Sequence, residues 1–417
     1  MTVPARAAAR ARGRNGGVIA TIAGFGPAFV AAIAYVDPGN VAANVSAGAE
    51  ERYALVWVLV AANLMAAVVQ YSSARLGLVT GRTLPELIGS RLSRPARLAF
   101  WAQAELVAAA TDVAEVIGGA LALQLLVGLP LLLGGVLVGA TSLLLLATQQ
   151  RRGQRTFEAV LIGLLAVLSV GFAVGAFTGR TDWGVVAGGL VPGFPDGTAV
   201  VLSASMLGAT VMPHAIYLHS ALSRDRHGGS AQDLPTLLRT NRWDVASALC
   251  IAGAVNIALL VVAAANLHGR GSPGTIEGAH AEITAALGPV VGVLFALGLL
   301  ASGLASSSVG AYAGSEVMAG LLKVRVPLLA RRAITLVPAL LLLGLGAPPS
   351  PTLVLSQVVL SFGIPFAVVP LLKLNSDATL MGEHVAGRGL RVVGWLVAAL
   401  VIALNATLLV LTFTGTA

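Results

Sequence analysis

Charge is scarce in this chain: Asp, Glu, Lys and Arg together make up 11% of its 417 residues, against 57% apolar side chains. The apolar runs recur at lengths of about 20 residues, enough to cross a hydrocarbon core about 30 Å thick. Such a chain reads as a polytopic membrane protein. Cysteine is nearly absent as well, and Cys250 alone excludes an internal disulfide framework and any cysteine-based zinc site. No long polar linker or shift of composition separates the runs. This argues against several soluble domains and for one transmembrane domain, 17–417, behind a basic tail, 1–16. The first run continues with no small-residue cleavage site, so the arginine-rich start is expected to stay on the protein.

The runs that are present number eleven, near 17–49, 54–78, 98–127, 130–149, 157–178, 198–222, 243–266, 284–321, 332–347, 352–373 and 392–414. With the N-terminus in the cytoplasm, all but Arg52, Arg180 and Arg270 of the 26 Lys and Arg fall on the cytoplasmic side or at cytoplasmic span ends. That asymmetry is the positive-inside pattern, so the net charge of +8 carries topology and does not indicate nucleic acid. The C-terminus is then expected outside.

Two spans are interrupted. In "AYVDPGNVAA", residues 34–43, Pro38 removes a backbone donor and Gly39 loosens the helix, which predicts unwinding near 37–40. In "GATVMPHAIYLHSA", residues 208–221, Pro213 breaks span six between Met212 and His214. Spans one and six each open a five-span unit, 17–178 and 198–373, and an odd unit length inverts the second copy; 392–414 is an extra helix. Broken helices at matching positions of inverted repeats point to a transport site at the midplane. Either proline alone would pass as a simple kink.

Asp37 is an intramembrane carboxylate, costly enough to imply function. Asn40 adds an amide oxygen, or alternatively caps the second half-helix. The breaks free main-chain carbonyls, those of Ala34 and Ala209 by their position. Met212 is either packing or a thioether ligand, and sulfur beside oxygen donors favours a first-row transition ion over calcium or magnesium. Gln357 and Gln70 face something other than lipid, and Gln357, in span ten, is the better ligand candidate. His214 and His219 are five residues apart and do not share a helix face, and no HExxH is present, so neither reads as a zinc pair.

Span three carries "AELVAAATDVAEVIGG", residues 104–119. Glu105, Asp112 and Glu115 fall near one helix side, where like charges repel unless protons or cations intervene. They are proton-relay candidates, or a static ion-pair network, with Arg331 and Arg332 at the start of span nine as counter-charge.

"DPGN" in span one with "GATVMPH" and "YLHS" in span six resembles the Nramp family of proton-coupled divalent metal transporters, in its bacterial manganese-type branch. The stretches 80–87, "ATDVAEVIGGALAL" and "ASGLASSSVGAYAGSEVMAG" extend the resemblance over the whole chain. It implies an all-α, LeuT-like fold of inverted five-helix repeats. It also implies manganese or ferrous iron as cargo, held by Asp37, Asn40, Met212 and the Ala34 and Ala209 carbonyls, with Gln357 joining in some conformations. Protons would use Asp37 and leave through Asp112, Glu115 and the arginines, with His214 near the pathway. Two departures are Ala215, where many members carry asparagine, and Leu304-Ala305, where the family has Gln-Ser.

The expected function is therefore secondary import of manganese or ferrous iron with protons, by alternating access, in the inner or plasma membrane. No cofactor and no enzymatic activity are expected; the partners are metal ions, protons and the bilayer. The alternatives are a sodium- or proton-coupled small-solute carrier, such as one for amino acids, on the same scaffold, and a membrane metalloenzyme, which would need a His/carboxylate triad and a general base.

Overall fold

Proline starts helices in this chain. A first-turn residue needs no N–H partner within the helix, so the missing donor of proline is harmless there and its fixed φ is pre-set. The computed structural model describes residues 26–152, 163, 181–227, 233–269, 274–324 and 326–414. Among the described residues every regular element is helical and none is a strand. Helix α1 (Pro27–Ile33) tightens into a 3-10 turn (Ala34–Val36), Asp37 is extended, and α2 (Pro38–Glu51) follows. Helix α3 (Val56–Thr80) stops at Gly81, whose left-handed φ of 63° suits glycine. A capping box between Thr83 and Glu86 opens the short α4 (Leu84–Arg91), and α5 (Arg94–Val127) runs on from it. Then come α6 (Leu131–Arg152), α7 (Trp183–Gly188), α8 (Gly197–Thr210), α9 (Pro213–His227) and α10 (Leu234–Asn266). The chain continues through α11 (Ile276–Leu287), α12 (Pro289–Leu321), α13 (Leu328–Gly344), α14 (Pro349–Asn375), α15 (Ala378–Met381) and α16 (Arg388–Thr414).

Seven of these stretches are long and apolar enough to cross a membrane, counting α8 with α9 as one. The tail 1–16 and, apart from residue 163, the expected run at 157–178 lie outside the described residues. Several boundaries differ from the sequence expectation, three of them for a clear physical reason. The run 284–321 is two helices, because Gly288 (φ 95°) turns the chain and Pro289 starts α12 afresh. Span seven begins at Leu234, not 243, since Pro235 in the first turn supports an earlier start. The first break is also narrower than 37–40: Pro38 and Gly39 are already helical, and Asp37 alone is extended.

Helix α5 lies at the centre, packed on α12, α14, α6 and α13. Small residues permit this closeness. Any Cβ at Gly118 would collide with the ring of Pro38, and one at Gly303 would sit 2.9 Å from the Glu115 carbonyl. The halves of the two broken spans lie side by side, α1 on α9 and α2 on α8, and α10 packs on both α1 and α2. At one end, Arg224 of α9 reaches Glu86 of α4 at 3.1 Å and Glu316 of α12 at 3.6 Å, and Arg91 pairs with Asp377 at 2.5 Å. We call this the basic end. At the other, Ser350 accepts from the Ile276 N–H and donates to Glu277 at 2.6 Å.

Candidate functional site

An α-helical carbonyl bonds to the N–H four residues on. For Ala34 that residue is Pro38, and for Ala209 it is Pro213, so each proline withholds the donor from one carbonyl at each break. The backbone responds differently in the two places. After Ala34 it tightens into the 3-10 turn; after α8 it opens at Val211 and Met212, so the second break lies before Pro213, which already starts α9.

Asn40 joins the two breaks. Its side-chain N–H groups donate to the Tyr35 carbonyl at 2.7 Å and to the Ala209 carbonyl at 2.8 Å. Asp37 caps α2, its Oδ1 accepting from Asn40 N–H at 2.8 Å, while Gln357 Nε2 of α14 lies 3.4 Å from Oδ2. Gln357 Oε1 is buried with no hydrogen-bond partner. Asn256 of α10 donates to the same Tyr35 carbonyl at 2.8 Å, and Ser302 of α12 to the Val36 carbonyl at 2.5 Å. Asn44 completes the shell, 3.1 Å from Asn256 Oδ1. Ala34, Asp37, Asn40, Ala209, Met212 and Gln357 are all 0% exposed. Met212 sits in the same buried cluster as Ala34, Tyr35 and Val36. The Asp37 and Asn40 side chains of the first break, the Ala209 carbonyl of the second and the Gln357 amide of α14 thus meet in the buried interior.

The span-three carboxylates divide into two groups. Glu105 pairs with Arg331 at 2.9 Å and is partly exposed. Asp112 binds Arg332 at 2.7 Å, with Glu115 Oε2 3.9 Å from the same nitrogen, and all three are buried. Arg332 is also held by Ser142 at 3.0 Å and by Ser307. One guanidinium thus serves two carboxylates, and both oxygens of Glu115 remain without a hydrogen bond. Two buried carboxylates therefore face a single guanidinium.

His214 stands between these regions, its Nδ1 3.4 Å from Thr111 Oγ1 of α5 and its Nε2 unpartnered. His219 turns elsewhere, bonding Gln70 at 2.7 Å, and Gln70 bonds the Tyr35 hydroxyl. The two histidines therefore have separate partners. Of the two departures, Ala215 is buried in the apolar core, and Leu304 supplies its carbonyl to Ser308 while Ala305 is buried. Sequence reasoning missed Asn44, Asn256, Ser302 and Thr111, and their only signal was a polar residue within an apolar helix. Among the described residues no group of three or more His, Cys, Asp or Glu is placed to hold a metal.

Residues 28–411 match the family profile described as natural resistance-associated macrophage protein-like. The chain is 60% identical over 392 residues to the divalent metal cation transporter MntH of Mycobacterium tuberculosis, covering 94% of this chain and 92% of that one. Its fold matches the crystal structure of the Eremococcus coleocola manganese transporter in complex with an aromatic bis-isothiourea substituted compound. The TM-score is 0.83 at 31% identity, over 92% of this chain and 85% of that one. Mhp1, a nucleobase-cation-symport-1 family transporter in a closed conformation, shares the fold alone, with a TM-score of 0.56 at 17% identity over 94% and 93%.

Proposed function

The chain belongs to the Nramp family, and from this premise we propose that it imports manganous or ferrous ions with protons through the chamber between its two broken helices. It is a multi-pass membrane carrier and not an enzyme, as are the relatives it matches by name. The observation that carries the reading is Asn40, whose amide spans from the first break to the Ala209 carbonyl of the second. The two breaks therefore share one space, and a metal there has donors from both.

The ligands in this reading are Asp37, Asn40 Oδ1, Met212 sulfur, the Ala34 and Ala209 carbonyls and Gln357 Oε1. A buried acceptor left without a partner costs about 1–3 kcal/mol, and the Gln357 oxygen recovers that by turning to a cation. In the closed chamber the Asn40 NH2 group takes the place of positive charge between the Tyr35 and Ala209 carbonyls. For an ion to rest against Ala209, that amide must turn over and present its oxygen. The ion thus replaces two hydrogen bonds as it enters, which couples its arrival to the relation between α1–α2 and α8–α9. Oxygen donors with one thioether suit manganese, iron and similar ions better than calcium or magnesium.

Protons compete with the metal for the charge of Asp37, and the relay passes by His214 to Asp112, Glu115 and the arginines. We place the N-terminus in the cytoplasm, the C-terminus outside and the protein in the cell membrane, on the asymmetry of its basic residues. The two five-span units, 17–178 and 198–373, are inverted copies in this reading.

Uptake into proteoliposomes under a pH gradient tests it. Asp37→Ala abolishes manganese uptake. Met212→Ala keeps part of it and admits calcium or magnesium; an unchanged ion preference refutes the role given to the thioether.

A further inference from the structure

Metal transport makes no use of a second polar cavity, about 420 Å³, at the basic end between α3, the start of α10 and the start of α16. Val68, Tyr71, Arg75, Arg242, Leu390 and Val393 line it. Arg75 is only 7% exposed; its Nη2 donates to the His384 carbonyl, and its Nη1 has no hydrogen-bond partner. A charged donor left unpaired at that depth costs more than a neutral one, which points to an acceptor arriving from outside the chain. The Arg242 guanidinium lies 5.6 Å over the Tyr71 ring at the open side of the cavity. No carboxylate neutralises this pair among the described residues. Asp244, two positions past Arg242, directs its oxygens to the Gly26 and Ala28 N–H groups, where it caps α1.

The first turn of α16 adds to the positive field. Gly387, Gly389 and Leu390 at its start line the cavity, and Arg388 and Arg391 add positive charge on the other face of the helix, in a separate cavity of about 620 Å³ with Ser376 and Trp395. Past these charges the surface turns apolar and open on the same faces: Leu64 of α3 and Val393 and Leu400 of α16 are exposed. Positive charge at the membrane boundary, continuous with an apolar flank inside it, matches a phosphate joined to hydrocarbon better than a free anion.

We propose that this cavity binds the phosphate of an anionic phospholipid, such as phosphatidylglycerol, from the leaflet at the basic end. Arg75 Nη1 and Arg242 contact the phosphate, and the acyl chains lie along α3 and α16. A lipid seated there bridges α3 to the start of α16. Because α3 also packs on α9 and α10, it steadies the frame around the moving half-helices.

Thermal unfolding of the full chain in neutral detergent, titrated with dioleoylphosphatidylglycerol, with dioleoylphosphatidylcholine and with inorganic phosphate, tests the assignment. Phosphatidylglycerol is expected to stabilise at a lower concentration than phosphatidylcholine. Arg242→Gln weakens that preference about fivefold, the effect of losing about 1 kcal/mol per basic residue at a membrane surface. Arg75→Gln does the same where it folds; the exposed Arg242→Gln, with its manganese uptake into phosphatidylcholine vesicles intact, decides where it does not. Equal response to the two lipids, or a preference untouched by Arg242→Gln, overturns the proposal. A matching response to inorganic phosphate alone overturns the lipid assignment by showing a free-anion site.

Discussion

Glu115 is the residue whose surroundings ask most for a partner. It is fully buried, lies 3.9 Å from a guanidinium already bonded to Asp112 at 2.7 Å, and has both oxygens without a hydrogen bond. Gly310 packs close against it, a Cβ there falling 3.1 Å from Glu115 Oε1. The Glu115 carboxylate thus has no donor of its own, whereas Asp37 accepts from the Asn40 N–H. Glu115→Gln, which mimics the protonated form, is therefore expected to flatten the pH dependence of manganese uptake while leaving manganese affinity within about twofold, a difference below ~0.5 kcal/mol. Affinity and pH profile measured on the same proteoliposomes check this, and equal effects on both remove Glu115 from the relay. At this scale the sequence was a good guide to acidic residues and a poor one to amides. Asp37 and Glu115 announce themselves because charge in an apolar helix is rare. Asn256 and Asn44 do not, since an asparagine in a membrane helix is cheap enough to be ordinary. Only the fold shows that Asn256 turns to the Tyr35 carbonyl.

Among the elements, the broken helices rest on α5. Pro38 opens α2 with its ring against Gly118, so the carboxylate-bearing break is seated on the same helix that carries Asp112 and Glu115. Gly118→Val places a branched side chain where that ring now lies. We expect it to cut manganese uptake at least tenfold while Val138-facing Gly119→Ala has a smaller effect on uptake, because its clash is with side-chain methyl groups that can shift. Equal losses in an uptake assay normalised to folded protein would show that seating of α2 is not what matters. The helical runs were legible from apolar length and the breaks from proline, but the exact unwound residues were not. A proline read as a breaker turned out to be a starter in both cases, because the first turn of a helix tolerates its missing N–H. The split at Gly288 was hidden for a related reason: the apolar run continues across it, and only the backbone turn separates α11 from α12.

For the whole molecule, a divalent ion moving inward feels the membrane potential as well as the proton gradient. An inside-negative potential favours its entry by about 4.6 kcal/mol per 100 mV, twice the single-charge value. Manganese uptake in proteoliposomes is thus expected to rise when a potassium diffusion potential is imposed at equal pH on both sides. Uptake indifferent to potential would mean that charge moves out as metal moves in. The all-helical, multi-pass character of the chain was open to reading from length and hydropathy. What stayed hidden was how far apart in sequence the polar groups around the breaks are drawn from: Asn40 of α2, Asn256 of α10, Ser302 of α12 and Gln357 of α14 meet Asp37 or the Tyr35, Val36 and Ala209 carbonyls. No local pattern encodes that meeting.

The central claim is that the two breaks share one metal site. Diffraction from crystals soaked in manganese, recorded at the manganese absorption edge, tests it most directly. One anomalous peak is expected within bonding distance of Asp37, Asn40, Met212 and the Ala209 carbonyl. A peak beside Asp112 and Glu115 instead, or none between residues 37 and 212, would contradict it.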